Sequence, residues 1–324
     1  MSSPPGASPL LRWLALATAA SAWVLVVVGG AVRVTESGLG CPDWPLCDGR
    51  VVPTAQKEPI VEYTHRATAA VVVVLLLLTA GLALRGRDRR ARVALPFGLA
   101  LALVPVQALL GAIVVWLELP DRLVGVHFMV GMVMLALTCL GAVGAWRGET
   151  VTSPTFARTS LAAGAVALLL VSLGASVVAT DGMHACGQEW PACNGTILAG
   201  GGTAALQVAH RTTAYVLAGI ALALLALGLR SHAPLRLAAP LAALVTVQVG
   251  FGIGVVLSSH GSTAHELVRI FHIAGSGAVW ACACVLVGVA ALAPEHSGPG
   301  VTRREAAQGR SDQLVLRARS LEEA

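Results

Sequence analysis

The chain has 324 residues, of which 56% are hydrophobic and only 12% charged, and its net charge is +5. Soluble domains carry about a quarter charged residues, so a water-soluble globular protein is excluded and a polytopic, all-α membrane protein is expected. The positive balance follows from where the basic residues fall along the chain and is not read as a nucleic-acid-binding face.

A helix needs roughly 20 apolar residues to cross the hydrocarbon core. Eight stretches free of Asp, Glu, Lys and Arg reach or approach that length: residues 13–32, 67–84, 93–117, 123–146, 159–180, 212–229, 237–259 and 270–293. The second and sixth are shortest, and each is expected to borrow a turn from the polar residues before it. The first has the look of a secretory signal, but no clean small-residue cleavage pattern follows it and seven more spans come later. It is therefore read as a retained helix. With the N-terminus inside, the cytoplasmic segments hold Arg12, the run Arg85, Arg87, Arg89, Arg90 and Arg92, then Arg147, Arg158, Arg230 and Arg236, and five arginines of the tail. Cytoplasmic loops retain Lys and Arg, so both termini are expected in the cytoplasm. The tail, 294–324, is polar and mixed in charge, as expected of an extension outside the membrane.

The loops carry an internal repeat. TESGLGCPDWPLCDG (35–49) has a counterpart in TDGMHACGQEWPACNG (180–195), EYTHRATA (62–69) in QVAHRTTA (207–214), and VHFMVG (126–131) in FHIAGS (271–276). Cys41 and Cys186, His65 and His210, and His127 and His272 are each 145 positions apart. The matched residues are Cys, Trp, Pro, His and Arg, which an abundance of Leu, Val and Ala does not supply by chance. Four spans per copy is an even number, so both copies enter the membrane in the same direction and are expected as parallel repeats. The expected units are four-helix bundles over 12–146 and 159–293.

His65, His127, His210 and His272 fall at the outer ends of the second, fourth, sixth and eighth spans. Within each half the two lie at similar depth and face one another across a bundle interior, a usual place for a cofactor. Two imidazoles without matched carboxylates or thiolates make a poor zinc or di-iron site but suit the two axial positions of a haem iron. Gly125, Gly131, Gly275 and Gly277 either leave room for a flat macrocycle or serve ordinary close packing of helices. His184, His260 and His265 lie in or beside outer loops without counterparts, and His232 and His296 on the cytoplasmic side; all five are expected to be solvated.

The copies differ at one position. Glu62 stands three residues before His65, where Gln207 stands before His210. A spacing of three puts both side chains on one helix face, so Glu62 either does chemistry beside a substrate at His65 or forms a surface ion pair with Arg66. Arg66 and Arg211 are candidates for haem propionate contacts or for snorkelling to water. Cys41 with Cys47, and Cys186 with Cys193, form close pairs in outer loops, where disulfides persist; a redox role by thiol exchange is the alternative. Cys139, Cys282 and Cys284 lie within spans as small apolar fillers.

Over roughly residues 12–293, and most specifically in CPDWPLC, EYTHR, VAHR, His127 and His272, the chain resembles the haem A synthase family. The resemblance implies a duplicated four-helix unit with two haems. His65 and His127 would hold the substrate haem O, His210 and His272 a resident haem B, with Glu62 the catalytic carboxylate. The implied reaction is oxidation of a ring methyl to a formyl by successive hydroxylations, with water as the oxygen source. A bacterial cell membrane location is implied, together with a haem O synthase and cytochrome oxidase assembly proteins as partners and an electron acceptor that the sequence does not specify. The rival is a b-type electron-transfer cytochrome with two permanent haems, which offers no reason for the Glu62 and Gln207 difference. A transporter with inverted repeats fits less well, since repeats of four spans are parallel.

Overall fold

A computed structural model describes residues 7–85, 90–146, 153–196, 201–231 and 235–291; the tail 294–324, His232 and His296 lie outside the described residues. Among the described residues eight α-helices follow one another: α1 (Pro9–Val34), α2 (Lys57–Arg85), α3 (Leu95–Trp116), α4 (Asp121–Trp146), α5 (Pro154–Ala179), α6 (Gly202–Ser231), α7 (Leu235–Leu257) and α8 (Thr263–Ala291). All are long and apolar enough to cross a membrane.

The helix starts are written in the sequence. Ser8 and Ser153 are N-caps whose hydroxyls accept from the amides of Leu11 and Phe156, at 3.2 Å in both cases, and each is followed by proline in the first turn. Proline lacks the N–H that a first turn leaves unpaired anyway. α2 and α6 begin ten residues before the charge-free stretches expected for them, and α8 seven before. A search that stops at charge cuts off the outer turns, where Arg66 and Gln207 donate to carbonyls of the loops above them. His65 and His210 therefore sit two turns inside their helices.

α1 packs on α2 and α4, and α3 on α2 and α4; α5 packs on α6 and α8, and α7 on α6 and α8. The two groups meet through α8 against α1 and α4, and α4 against α5. Half of the most apolar window of α8 is buried, against at most 28% for the other helices, so α8 is the central member. Small residues let the helices approach: Gly164 lies against Val287, and Gly288 against Leu140 and Val143. In lipid, close packing and interhelical hydrogen bonds hold helices together, because lipid tails are as apolar as leucine. Thr18 and Thr79 share a buried hydroxyl bond of 2.8 Å between α1 and α2. Trp23 of α1 donates its indole N–H to the carbonyl of Ala274 in α8 at 3.0 Å, and Trp280 of α8 donates to the carbonyl of Met132 in α4 at 2.8 Å.

The loops after α1 and α5 share a local design. Asp48-Gly49 and Asn194-Gly195 have φ of 52°, 67°, 54° and 76°, between bridges that pair Cys47 with Arg50 and Cys193 with Thr196. Two successive positive φ values mark the tight hairpin turn that Asp-Gly and Asn-Gly favour. Disulfides join Cys41 to Cys47 and Cys186 to Cys193, and the Trp44-Pro45 and Trp190-Pro191 peptides inside them are cis. Cys139 and Cys284 are buried and Cys282 half-buried, all as free thiols.

Candidate functional site

The histidine-bearing helices are tied to the loops by the arginine that follows each first histidine. Arg66 has five N–H donors, and all are engaged. Nε donates to Glu62 Oε1 at 3.1 Å, Nη2 to Glu62 Oε1 at 3.0 Å and to the Cys41 carbonyl at 2.9 Å, and Nη1 to the carbonyls of Asp43 and Leu46 at 2.8 and 2.7 Å. Arg211 repeats the arrangement, with Nη1 on the carbonyls of Glu189 and Ala192 at 3.0 and 2.8 Å and Nη2 on Gln207 Oε1 at 2.9 Å. In this arrangement Arg66 has no donor left over for a propionate. Outside the membrane, the carboxylate of Asp43 accepts from the amides of Gly49 and Asp48 at 2.8 and 2.7 Å. The Gly49 bond is the foremost cause that holds the Asp43 pKa below the usual carboxylate range. Glu189 plays the equivalent part, accepting from the Gly195 amide at 2.7 Å.

Glu62 is paired with Arg66, but not as a surface pair: it is 5% exposed. Gln207, 8% exposed, spends its amide on the carbonyls of Gly182 and Met183. The same spot in each half is thus held by an arginine and closed by a loop, and only in the first is its occupant ionisable.

All four histidine rings are half-buried, and each lies against a glycine of the preceding helix. An added Cβ would sit 3.0 Å from His65 Cε1 at Gly29, 3.3 Å from His127 Cε1 at Gly111, 3.1 Å from His210 Cε1 at Gly174, and 3.3 Å from His272 Cε1 at Gly252. The rings of His210 and His272 have centroids 6.4 Å apart with planes at 70°. Two bonds of about 2.0–2.1 Å to a shared metal, plus about 1.1 Å from each nitrogen to its ring centre, put two opposed imidazoles roughly 6.3 Å apart. The observed spacing fits one iron between them. His210 Nδ1 lies 3.2 Å from the Leu170 carbonyl; a carbonyl only accepts, so Nδ1 carries the hydrogen and Nε2 keeps its lone pair for a metal. Among the described residues no three or more His, Cys, Asp or Glu side chains gather to hold a bare metal ion. The two imidazoles of each pair instead suit an iron whose remaining positions a macrocycle fills.

Two glutamines that sequence comparison missed complete the pockets. Gln107 of α3 donates Nε2 to the His127 carbonyl at 2.9 Å and lies 3.4 Å from His127 Nε2. Gln248 of α7 donates to the His272 carbonyl at 2.8 Å and lies 3.1 Å from His272 Nδ1. They are 141 positions apart, as are Gly111 and Gly252, so a search at the spacing of 145 passes over them. Of the glycines expected to make room, Gly131 and Gly275 face these amides, Gly277 faces Trp23, and Gly125 faces Ala179. One expectation is corrected. His265 is not solvated but 7% exposed, because α8 starts early and places it in a packed first turn. It bonds to Ser258 Oγ at 2.7 Å, its ring is 4.8 Å from that of His260, and His260 stacks edge-on against His184 at 4.3 Å.

The profile of the cytochrome oxidase assembly protein family matches residues 12–284. A heme A synthase from an Exiguobacterium strain (AT1b) is 27% identical over 246 residues, 74% of this chain and 81% of the relative. A heme A synthase from Exiguobacterium sibiricum is 31% identical over 179 residues, 53% of this chain and 60% of the relative. A protoheme IX farnesyltransferase from Natronomonas pharaonis is 35% identical over 136 residues, which are 42% of this chain and 28% of that longer protein.

Proposed function

Since the chain belongs to the cytochrome oxidase assembly protein family, we propose that it is a haem A synthase, an oxidoreductase that converts haem O to haem A in a bacterial cell membrane. The unit over 12–146 takes haem O as substrate between His65 and His127. The unit over 159–293 keeps a haem B between His210 and His272, which when bound supplies one-electron redox chemistry. Both termini lie in the cytoplasm and the histidines near the outer face. A relative named for farnesylation of protohaem IX is in keeping with a farnesylated substrate, whose greasy tail enters sideways from the bilayer.

Converting a ring methyl to a formyl consumes one water and releases four protons and four electrons, two of each in forming the alcohol and two of each in oxidising it. Water supplies the oxygen, and the electrons leave to an acceptor outside this chain. The protein's contribution is to fix the substrate plane between two imidazoles, positioning that is worth several kcal/mol of barrier, and to hold a base nearby. Glu62 is that base. Both bonds from Arg66 reach Oε1, so Oε2 is the oxygen that accepts a proton. Arg66 donates to the carboxylate and clamps the Cys41–Cys47 loop over the pocket; contact of Arg66 or Arg211 with a propionate requires exchange of a loop-carbonyl bond.

The observation that carries the reading is the pairing of two like pockets of which only the first has an ionisable group beside its histidine. The test is the pigment of protein purified from its own membranes. A fixed complement of haem B alone would return the chain to the b-type cytochromes, whereas haem B with haem O, its alcohol or haem A is expected. In the Glu62→Gln variant haem O is expected to stay bound while formyl product disappears.

A further inference from the structure

The pockets differ at a second place. In the C-terminal pocket Gln248 Nε2 donates to Ser276 Oγ at 2.7 Å, and that hydroxyl donates to the His272 carbonyl at 2.8 Å. The residue matching Ser276, four after the histidine, is Gly131 in the first half. A Cβ at Gly131 would lie 3.3 Å from Gln107 Nε2, so a serine there would reach the Gln107 amide as Ser276 reaches that of Gln248.

Gln107 is consequently short of partners. One Nε2 hydrogen is held by the His127 carbonyl, which also fixes which end of the amide carries nitrogen. The other faces His127 Nε2 at 3.4 Å, a nitrogen that accepts nothing once its lone pair is on iron. Oε1 is buried with no donor, as is Gln248 Oε1 in the other pocket, and His127 Nδ1 is buried with no partner; the pockets differ in the second Nε2 hydrogen, which Ser276 takes up only in the C-terminal one. A buried polar group left unpaired costs roughly 1–3 kcal/mol, so that hydrogen calls for an acceptor.

We propose that Gln107, opposite Gly131, is a positioning residue that seats the oxygen introduced at the substrate methyl, in the place that Ser276 Oγ fills in the other pocket. The inference rests on the haem A synthase reading. The ligand is a water-derived hydroxyl, either water itself or the primary alcohol of the half-oxidised substrate. Such a group accepts from Nε2–H and donates to the His127 carbonyl, as Ser276 Oγ accepts from Gln248 and donates to the His272 carbonyl. The formyl product has no O–H and can only accept, so the seat holds the alcohol better than the aldehyde and favours release after the second oxidation. With the oxygen fixed by Gln107, Glu62 is left free for the proton.

The experiment compares Gly131→Ser, which installs the serine of the second pocket, and Gln107→Leu with wild type and with Gly98→Ala, where an added Cβ meets nothing within 4 Å. Each protein is purified from its own membranes, its haems are separated by chromatography, and its bound low-spin spectrum and haem content per chain are recorded. Both pocket variants are expected to keep haem content and spectrum while the formyl share falls at least about tenfold. Accumulated alcohol identifies the alcohol as the seated species, and accumulated haem O identifies water. Wild-type formyl levels in both variants overturn the proposal, and so does loss of haem from the first pocket in both, which would make the role structural. Absence of alcohol and formyl haem from the wild type would instead sink the haem A synthase reading.

Discussion

Gly29→Ala probes whether the histidines are held for an iron. An ideal Cβ at Gly29 stands 3.0 Å from His65 Cε1 and 3.3 Å from Nδ1, whereas carbon atoms rest at about 3.5–4.0 Å. The ring must therefore retreat by roughly 0.5–1 Å. α1 cannot take up the shift, since Thr18 ties it to Thr79 on α2 and Trp23 ties it to α8. Overpacking of this kind costs about 1–3 kcal/mol, and if all of it falls on the ligated state, haem affinity drops by roughly 5- to 150-fold. Gly174→Ala should act similarly at His210, where the contact is 3.1 Å, and Gly111→Ala and Gly252→Ala more mildly at 3.3 Å. Haem content and the low-spin absorption band of the purified variants measure the effect. Gly29 and Gly111 should empty the first pocket, Gly174 and Gly252 the second. Full, spectrally unchanged occupancy of both pockets in Gly29→Ala and Gly174→Ala would refute the assignment of these imidazoles as ligands.

Replacing His210 or His272 by Ala should deplete haem B and leave haem O bound; unchanged haem B in both variants removes them as its ligands. Opening the Cys186–Cys193 loop by Cys193→Ser is expected to cost roughly 2–2.5 kcal/mol on the chain-entropy account of so short a loop, read as a lower midpoint in a thermal unfolding assay in detergent. Trp280→Phe removes a buried donor from the Met132 carbonyl and should cost about 1–3 kcal/mol in the same assay. Asp43 gives a pH signature. Its acidity in the folded loop is stronger than in the unfolded chain, so its contribution is complete above the unfolded pKa and is lost as pH falls through the folded one. Asp43→Asn should therefore flatten the acid limb of loop protection in hydrogen exchange, and an unaltered limb would show that the Gly49 and Asp48 bonds do not govern it.

The features legible in the sequence were those whose signal is chemical type at fixed spacing. Eight spans, the paired cysteines, the HR dipeptides and the Glu62 and Gln207 difference all survive a one-dimensional search. Helix starts did not, because Glu62 and Gln207 are polar residues on buried turns: Gln207 donates to the loop carbonyls of Gly182 and Met183, and Glu62 accepts from Arg66, itself held by loop carbonyls that no local window contains. Gly29 and Gly174 stood in plain view at the spacing of 145, yet glycine is too common in membrane helices to be singled out without the imidazole beside it. Gln107 and Gln248 were hidden by a shift of four residues between α3 and α4 relative to α7 and α8. His265 was misjudged because its burial arises from Ser258 and His260, brought over it by the turn before α8.

The crossed tryptophans have a consequence for how this chain can be divided. Trp23 and Trp280 each satisfy their indole N–H on a backbone carbonyl of the opposite half, Ala274 and Met132. Produced as two separate polypeptides cut at 147–152, each half would turn an unpaired donor and the close-packed face around it toward acyl chains, where an orphaned polar group costs several kcal/mol. Co-expressed, the two fragments are therefore expected to pair in the bilayer, because only the opposite one supplies the carbonyl that each indole lacks.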